Sequence, residues 1–443
     1  MWRRIENDLL AWKDDPRRRV LLVRGARQVG KTFSIRQLGK TFPHFLEVNF
    51  EENKDVAAFF QGSLDPARLV EKLSAYFAVP VIPRQTLLFL DEIQACPNAL
   101  ASLRFFHEKM PGLHVVGAGS LLELAMEQIP SLGVGRLGSL FMHPMCFSEF
   151  LAATGGEGLA RVVEPADPEH PVDAPFHARL LDVLRTYLLV GGMPAAVATY
   201  AEQRYLPTCF KVLDDLVLTL EDDFAKYRKR SPVARLVEVF RSIAGQTGGK
   251  FKFSRVGSGA PSGPLKDALM LLVRAGLAHR VVHTDARGIP LGAQTDDRKF
   301  KVLLFDLGVH QRMLGLDVPA FLAASDIDLV NKGSLAELFV GLELVANGPS
   351  HRRPGLYYWH REARASNAEV DYVVQRGSAI VPVEVKAGTR GGMQSMRIFM
   401  DERRLGSGVR VSMENFSRLE RIEVLPLYAA GRLAQSPLRA PET

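Results

Sequence analysis

Short, mostly apolar runs separated by amphipathic stretches organise the first 150 residues of the chain. The runs Val20–Arg24, Phe45–Phe50, Leu87–Asp91, His114–Gly117 and Leu140–His143 read as strands. Between them Ser34–Thr41, Pro66–Phe77 and Ala99–Lys109 read as helices, with Leu69, Leu73 and Phe77 recurring on one helical face. Strands alternating with helices predict an α/β fold with a parallel sheet over residues 1–150.

The pattern then changes. Residues 155–174 are rich in Gly, Pro, Asp and Glu, which predicts an exposed loop. Helices resume at Arg179–Val190, break at Gly191-Gly192-Met193-Pro194, and continue through Leu206–Ala225, so residues 151–230 read as an all-helical lid. In residues 231–325 the order is helix (Val233–Ala244), short helix, helix (Pro264–Ala275), then strands Ala278–His283 and Lys301–Asp306. Three helices and a hairpin are the order of a winged helix. Its third helix, carrying Lys266 and Arg274, stands where a DNA-reading helix would, although many winged helices contact only protein. Residues 326–435 form a second α/β unit: a helix at Gly333–Ala346 and strands near Leu356–His360, Glu369–Val374 and Ile380–Lys386. The tail after Pro437 reads as disordered.

Composition narrows the class. A chain of 443 residues with 47% hydrophobic and 24% charged residues predicts several folded domains. No run of eighteen apolar residues and no secretion signal are visible, which predicts a cytoplasmic protein without a membrane partner. Cys96, Cys146 and Cys209 lie far apart and give neither a zinc spacing nor a disulfide framework. A net charge of +7 is compatible with nucleic acid without demanding it, and the clusters Arg17-Arg18-Arg19 and Lys226–Arg230 read as solvated faces or helix ends.

Candidate chemistry begins at residues 25–32, Gly-Ala-Arg-Gln-Val-Gly-Lys-Thr, which fit G-x-x-x-x-G-K-[S/T] between a strand and a helix. Glycines let the backbone wrap a phosphate, and the helix N-terminus adds its positive end. Gly25, Ala26, Arg27, Gln28, Val29, Gly30, Lys31, Thr32 and Phe33 are thus the expected nucleotide-binding residues. Lys31 is placed to reach the β- and γ-phosphates, and the Thr32 hydroxyl to bind Mg²⁺. Sixty residues on, Leu87-Leu88-Phe89-Leu90-Asp91-Glu92 is a buried strand delivering two acids to the sheet edge where ligands bind. Asp91 is the expected Mg²⁺ partner and Glu92 the group that orients and deprotonates water. Ser120, ending Val115-Val116-Gly117-Ala118-Gly119, is expected to contact the γ-phosphate or to cap the next helix; both can hold. Arg136, before the fifth strand, reads either as an arginine finger, from the same or a neighbouring subunit, or as a salt-bridge partner.

The segments GARQVGKT, LLFLDEIQ, VVGAGS, GRLGSLFMHPMCFSEFL and YLLVGGMPAAV resemble a family of prokaryotic AAA+ ATPases in which a conserved C-terminal domain of unknown function follows the ATPase. The resemblance runs from about residue 2 to 430. It implies an AAA-like core, a helical lid, a winged-helix module and a nuclease-like C-terminal domain. It also favours ATP over GTP, and no Asn-Lys-x-Asp guanine-reading motif is visible. The Gly-Ala-Gly-Ser run departs from the more Ser-rich sensor strand the family leads one to expect.

A second constellation lies near the C-terminus. Glu384 and Lys386, two apart on a strand, share a face, and Asp371 belongs to the neighbouring strand. Asp followed by Glu-x-Lys resembles the PD-(D/E)xK nuclease arrangement, in which carboxylates hold Mg²⁺ and the lysine positions water. Glu337, on the preceding helix, matches the additional acid of that superfamily. The alternative is an internal Asp/Glu–Lys cluster in a degenerate fold. Three functions follow as expectations: an Mg²⁺-dependent ATPase switch or motor controlling its C-terminal domains, a nucleotide-gated DNA nuclease, and an ATP-dependent protein-binding regulator. Each is open to a homo-oligomer.

Overall fold

The computed structural model describes residues 1–120, 122–127, 129, 135–228, 230–257, 259–315, 332–363, 366–388 and 392–435. The chain forms two compact bodies. The first holds residues 2–143 with 349–353; the second holds residues 144–348 and 354–443, with Met1.

The first body runs α1 (Ile5–Asp14), β1 (Val20–Arg24), α2 (Lys31–Gly39), β2 (His44–Asn49), α3 (Pro66–Phe77), β3 (Thr86–Asp91), α4 (Pro97–Lys109), β4 (His114–Ala118), α5 (Leu122–Met126) and β5 (Leu137–Phe141). Its sheet has the order β2-β3-β4-β1-β5, and every neighbouring pair is parallel. The first four apolar runs read as strands form within a residue or two of their expected bounds, while the fifth, expected at Leu140–His143, lies earlier at Leu137–Phe141. The central strands are apolar throughout because both faces of such a sheet are covered. Leu87, Leu88, Phe89 and Leu90 are completely buried, each worth about 1.5–3 kcal/mol relative to exposure. Leu88 and Leu90 share a core with Leu22, Val115, Leu46 and Val48 and the inward faces of α3 and α4. β4 therefore lies between β1 and β3, inserted between the two acid- and phosphate-bearing motifs.

The second body begins with α6 (Phe147–Ala153), α7 (Glu157–Val163), α8 (Ala174–Val190), α9 (Pro194–Gln203) and α10 (Leu206–Asp223). Helix α7 lies inside the segment expected to be loop; none of its residues is fully buried, so no apolar stripe announced it. After α11 (Val233–Gly245) and α12 (Ser262–Arg274) comes the hairpin β6 (Ala278–Thr284) and β7 (Thr295–Leu304), then α13 (Leu307–Met313). The C-terminal part contributes α14 (Lys332–Asn347), β8 (Leu356–Ala363), β9 (Ser366–Val370), β10 (Tyr372–Arg376), β11 (Ala379–Val385), α15 (Gln394–Arg403), β12 (Gly408–Ser412), β13 (Ser417–Leu419) and β14 (Ile422–Pro426).

Two sheets result, β7-β6-β8-β9 and β10-β11-β12-β14-β13. The first extends the hairpin of the expected winged-helix order. β6 pairs in parallel with β8 through Val281–Leu356, so the hairpin expected as a wing is half of a sheet completed by C-terminal strands. Residues 231–325 and 326–435 thus share a sheet. The boundary at 325/326, Lys229 of the basic cluster and the tail after Pro437 lie outside the described residues. No helix among the described residues is long and apolar enough to cross a membrane.

Candidate nucleotide site and C-terminal acid cluster

Strand register assembles the first site. Val23 is level with Ala118, and Leu90 with Gly117, so Gly25, Asp91–Glu92 and Gly119–Ser120 all leave the sheet at its C-terminal edge. The chain turns there with Gly25 at φ 148° and Gly30 at φ 98°, conformations that suit glycine. A Cβ on Gly25 would lie 2.1 Å from the Met142 carbonyl oxygen, so the loop can pass β5 only without a side chain. Arg3, buried, donates to the Val29 carbonyl at 2.6 Å and the His143 carbonyl at 2.7 Å, tying the loop to the chain after β5. Nothing local in the sequence pointed to Arg3.

Lys31 opens α2 and folds back over the loop, donating to the carbonyls of Gly25 (3.0 Å) and Ala26 (2.8 Å). Burial pulls its pKa down to about 8, against the pull of Glu92 and Asp91. Thr32 Oγ1 donates to Asp91 Oδ2 at 2.9 Å. Burial pushes Asp91 up to about 6, opposed by the Thr32 hydroxyl. Hydroxyl and carboxylate meet from separate motifs, an all-oxygen pair of the kind that suits Mg²⁺. Glu92, at φ 47°, accepts a hydrogen bond from the Gln94 carboxamide nitrogen. The Gln94 carboxamide oxygen is buried without a hydrogen-bond partner, and a Cβ on Gly119 would lie 1.8 Å from it. Gln94 therefore spans from Glu92 to the end of β4. It stood unremarked in the LLFLDEIQ run, where only the acids carry obvious chemistry. Arg27 Nε donates to Ser120 Oγ at 3.3 Å, so Ser120 is turned toward the loop residue Arg27. Phe33, next to Thr32, is 44% exposed.

Arg136 is not gathered with these groups. It precedes Leu137, which pairs with Val20 at the start of β1, the sheet edge opposite the loop. A five-residue strand separates the two edges, roughly 16 Å. Its guanidinium is 2.5 Å from Glu108 near the end of α4. Of the two readings of Arg136, the salt bridge is the one seen within this chain.

In the second body, the predicted Glu337, Asp371, Glu384 and Lys386 do converge. Lys386 Nζ donates to Glu384 Oε1 at 2.7 Å, and Val385 N donates to Asp371 Oδ2 at 2.8 Å. Glu337 and Asp371 instead meet a residue the sequence reading passed over. Lys301 of β7, 1% exposed, lies 2.7 Å from Glu337 Oε1, 2.5 Å from Glu369 Oε1 and 4.0 Å from Asp371 Oδ1. Burial alone would lower the Lys301 pKa, but Glu337, Glu369 and Asp371 raise it. Burial pushes Glu337 up to about 8 and Glu384 to about 7. The Lys301 ammonium occupies the space between Glu337 and Glu369 that a divalent cation bound by those two would need. Among the described residues no group of three or more His, Cys, Asp or Glu is arranged to hold a metal ion.

Residues 17–151 match the family described as an AAA domain. Residues 181–320 and 332–430 match two domains of unknown function, DUF8612 and DUF4143. No curated protein matches the chain. Among solved structures it is similar to the Walker-type ATPase PABY2304 of Pyrococcus abyssi, at 16% identity and a TM-score of 0.45 over 71% of this chain and 95% of that one. It is also similar to the Aeropyrum pernix Orc1 protein in complex with DNA, at 15% identity and a TM-score of 0.28 over 71% of this chain and 92% of that one. The AAA match and the parallel five-stranded sheet agree: the chain carries an AAA-type P-loop ATPase domain.

Proposed function

We propose that the protein binds ATP with Mg²⁺ at the first site, hydrolyses it there, and uses the nucleotide state to control what the second body binds. The observation that carries this is the Thr32–Asp91 contact with Lys31 and Glu92 beside it. Lys31 exchanges its two loop carbonyls for phosphate oxygens, which compensate its burial better than neutral acceptors do. Thr32 and Asp91 would hold Mg²⁺, Asp91 through the ion's water shell. The ion, when bound, neutralises charge developing on the phosphates. Glu92 orients the attacking water and takes its proton, Gln94 holds Glu92, and Ser120 with Arg27 meets the γ-phosphate side. The second body acts as the effector, through a macromolecular partner whose class a salt titration of DNA affinity separates into nucleic acid or protein.

Phosphate release by the purified chain, with ATP and Mg²⁺, tests the reading. Lys31→Ala should lose both binding and turnover, and Glu92→Gln turnover alone. Equal rates for both variants and the parent would sink it.

A further inference from the structure

We infer that Lys301 supplies, from within the chain, the cation around which the C-terminal carboxylates are arranged, so that the cluster functions without a divalent metal. The assignment holds whether or not the first body hydrolyses ATP.

An ammonium has three donors. Two point at Glu337 and Glu369, at 2.7 and 2.5 Å. The remaining side faces Asp371 at 4.0 Å and the Tyr358 ring, whose centroid is 5.3 Å away, within cation–π range. Of the other members, Glu384 Oε1 has Lys386 at 2.7 Å and Asp371 Oδ2 has the Val385 amide at 2.8 Å, while Glu384 Oε2 is buried without a hydrogen-bond partner. Each carboxylate thus has an ammonium or an N–H of the chain itself on at least one oxygen. A divalent ion binds carboxylate oxygens at about 2.0–2.6 Å, and the space between Glu337 and Glu369 is already taken by Nζ. A further +2 charge beside that ammonium would be repelled inside a poorly solvated interior.

The arrangement also has a structural result. Lys301 sits on β7, Glu337 on α14, Glu369 on β9 and Asp371 before β10, so one buried ammonium ties the hairpin to the C-terminal elements. A lysine buried this deeply is tolerable only where carboxylates meet it. The Asp/Glu-x-Lys spacing that suggests a nuclease is here built into a lock.

Counting Mn²⁺ ions bound by the full-length, nucleotide-free protein, by electron paramagnetic resonance of free Mn²⁺, tests the inference. Any ion held by Asp91 and Thr32 is common to the parent and a Glu384→Gln variant, so the difference between them reads the cluster alone. The expected result is the same number of ions for both, and likewise for Asp371→Asn. One ion fewer in either variant would overturn the inference. Thermal melting gives a second reading: Lys301→Met should melt several degrees below the parent in EDTA, and an unchanged melting temperature would equally overturn it.

Discussion

Both candidate sites combine a buried lysine with acidic side chains, yet they use the lysine in opposite ways. Lys31 is held by two backbone carbonyls, while Asp91 is met by a hydroxyl and Glu92 by a carboxamide. Lys301 is held by carboxylates directly. In the first arrangement the positive charge is satisfied only by neutral acceptors, so an anion is still a better partner. In the second, lysine and acids satisfy one another. The composition of a site therefore does not decide whether it takes a ligand; the partner of the ammonium does.

The contrast breaks most visibly at the glutamates. Glu92→Gln should lower ATP turnover by about 10²- to 10⁴-fold, the usual contribution of a general base, with nucleotide affinity retained. Glu384→Gln should leave turnover unchanged. Steady-state phosphate release and equilibrium nucleotide binding on both variants check this, and equal losses would erase the distinction between the sites.

Removing the second lysine should act on stability instead. Lys301→Met leaves Glu337 and Glu369 without their cation, and breaking a buried pair in this way costs about 3 kcal/mol or more. Adding Glu337→Leu should return part of that loss, since apolar replacements of both partners are often neutral. Denaturant unfolding of parent, single and double variants measures it. A double variant no more stable than the single one would mean that Glu337 is not the main partner.

A smaller effect is expected at Gly119. Its missing Cβ leaves room for the Gln94 carboxamide, so Gly119→Ala should displace Gln94 and loosen Glu92, lowering turnover about tenfold with binding kept. Gln94→Ala should reproduce it. If Gly119→Ala instead weakens nucleotide binding and leaves turnover intact, Gln94 does not position Glu92.

The two sites also differ in how much of them the sequence exposed. The loop at residues 25–33 is contiguous, and the apolar run before Asp91 declares both a strand and the edge at which its acids emerge. Local pattern sufficed there. Arg136 looked equivalent to these until pairing of Leu137 with Val20 put it at the wrong edge, a matter of register that spacing alone does not carry. Lys301 was hidden more thoroughly. In Lys299-Phe-Lys-Val it reads as the outward polar member of an alternating strand, and its partners come from elements 36 or more residues away. The extent of the sheet was hidden for the same reason: local order gave the helices and the hairpin, but β8 joins β6 from across the sequence.

The last and smallest effect asks whether burial by itself, without a partner, decides charge near the cluster. His310, 3% exposed, shares the wall of a cavity of about 500 Å³ with Glu337 and Asp371. Its Nε2 lies 3.1 Å from Thr247 Oγ1, a neutral partner, and burial lowers its pKa to about 4. Burial pushes Glu337 the other way, upward, but there Lys301 at 2.7 Å opposes it, a charged partner that His310 lacks at Thr247. An unfolded histidine titrates near 6.5, so the stability gained by keeping His310 neutral is complete above about pH 6.5 and is lost as pH falls toward 4. Compared with the parent, His310→Gln should therefore lose less stability between pH 7 and pH 5, by at most about 1.4 kcal/mol per pH unit. Taking the difference between the two proteins cancels the opposite slopes of the carboxyl groups. Parallel stability curves over that range would mean that His310 accepts a proton in the folded state as readily as in the unfolded one.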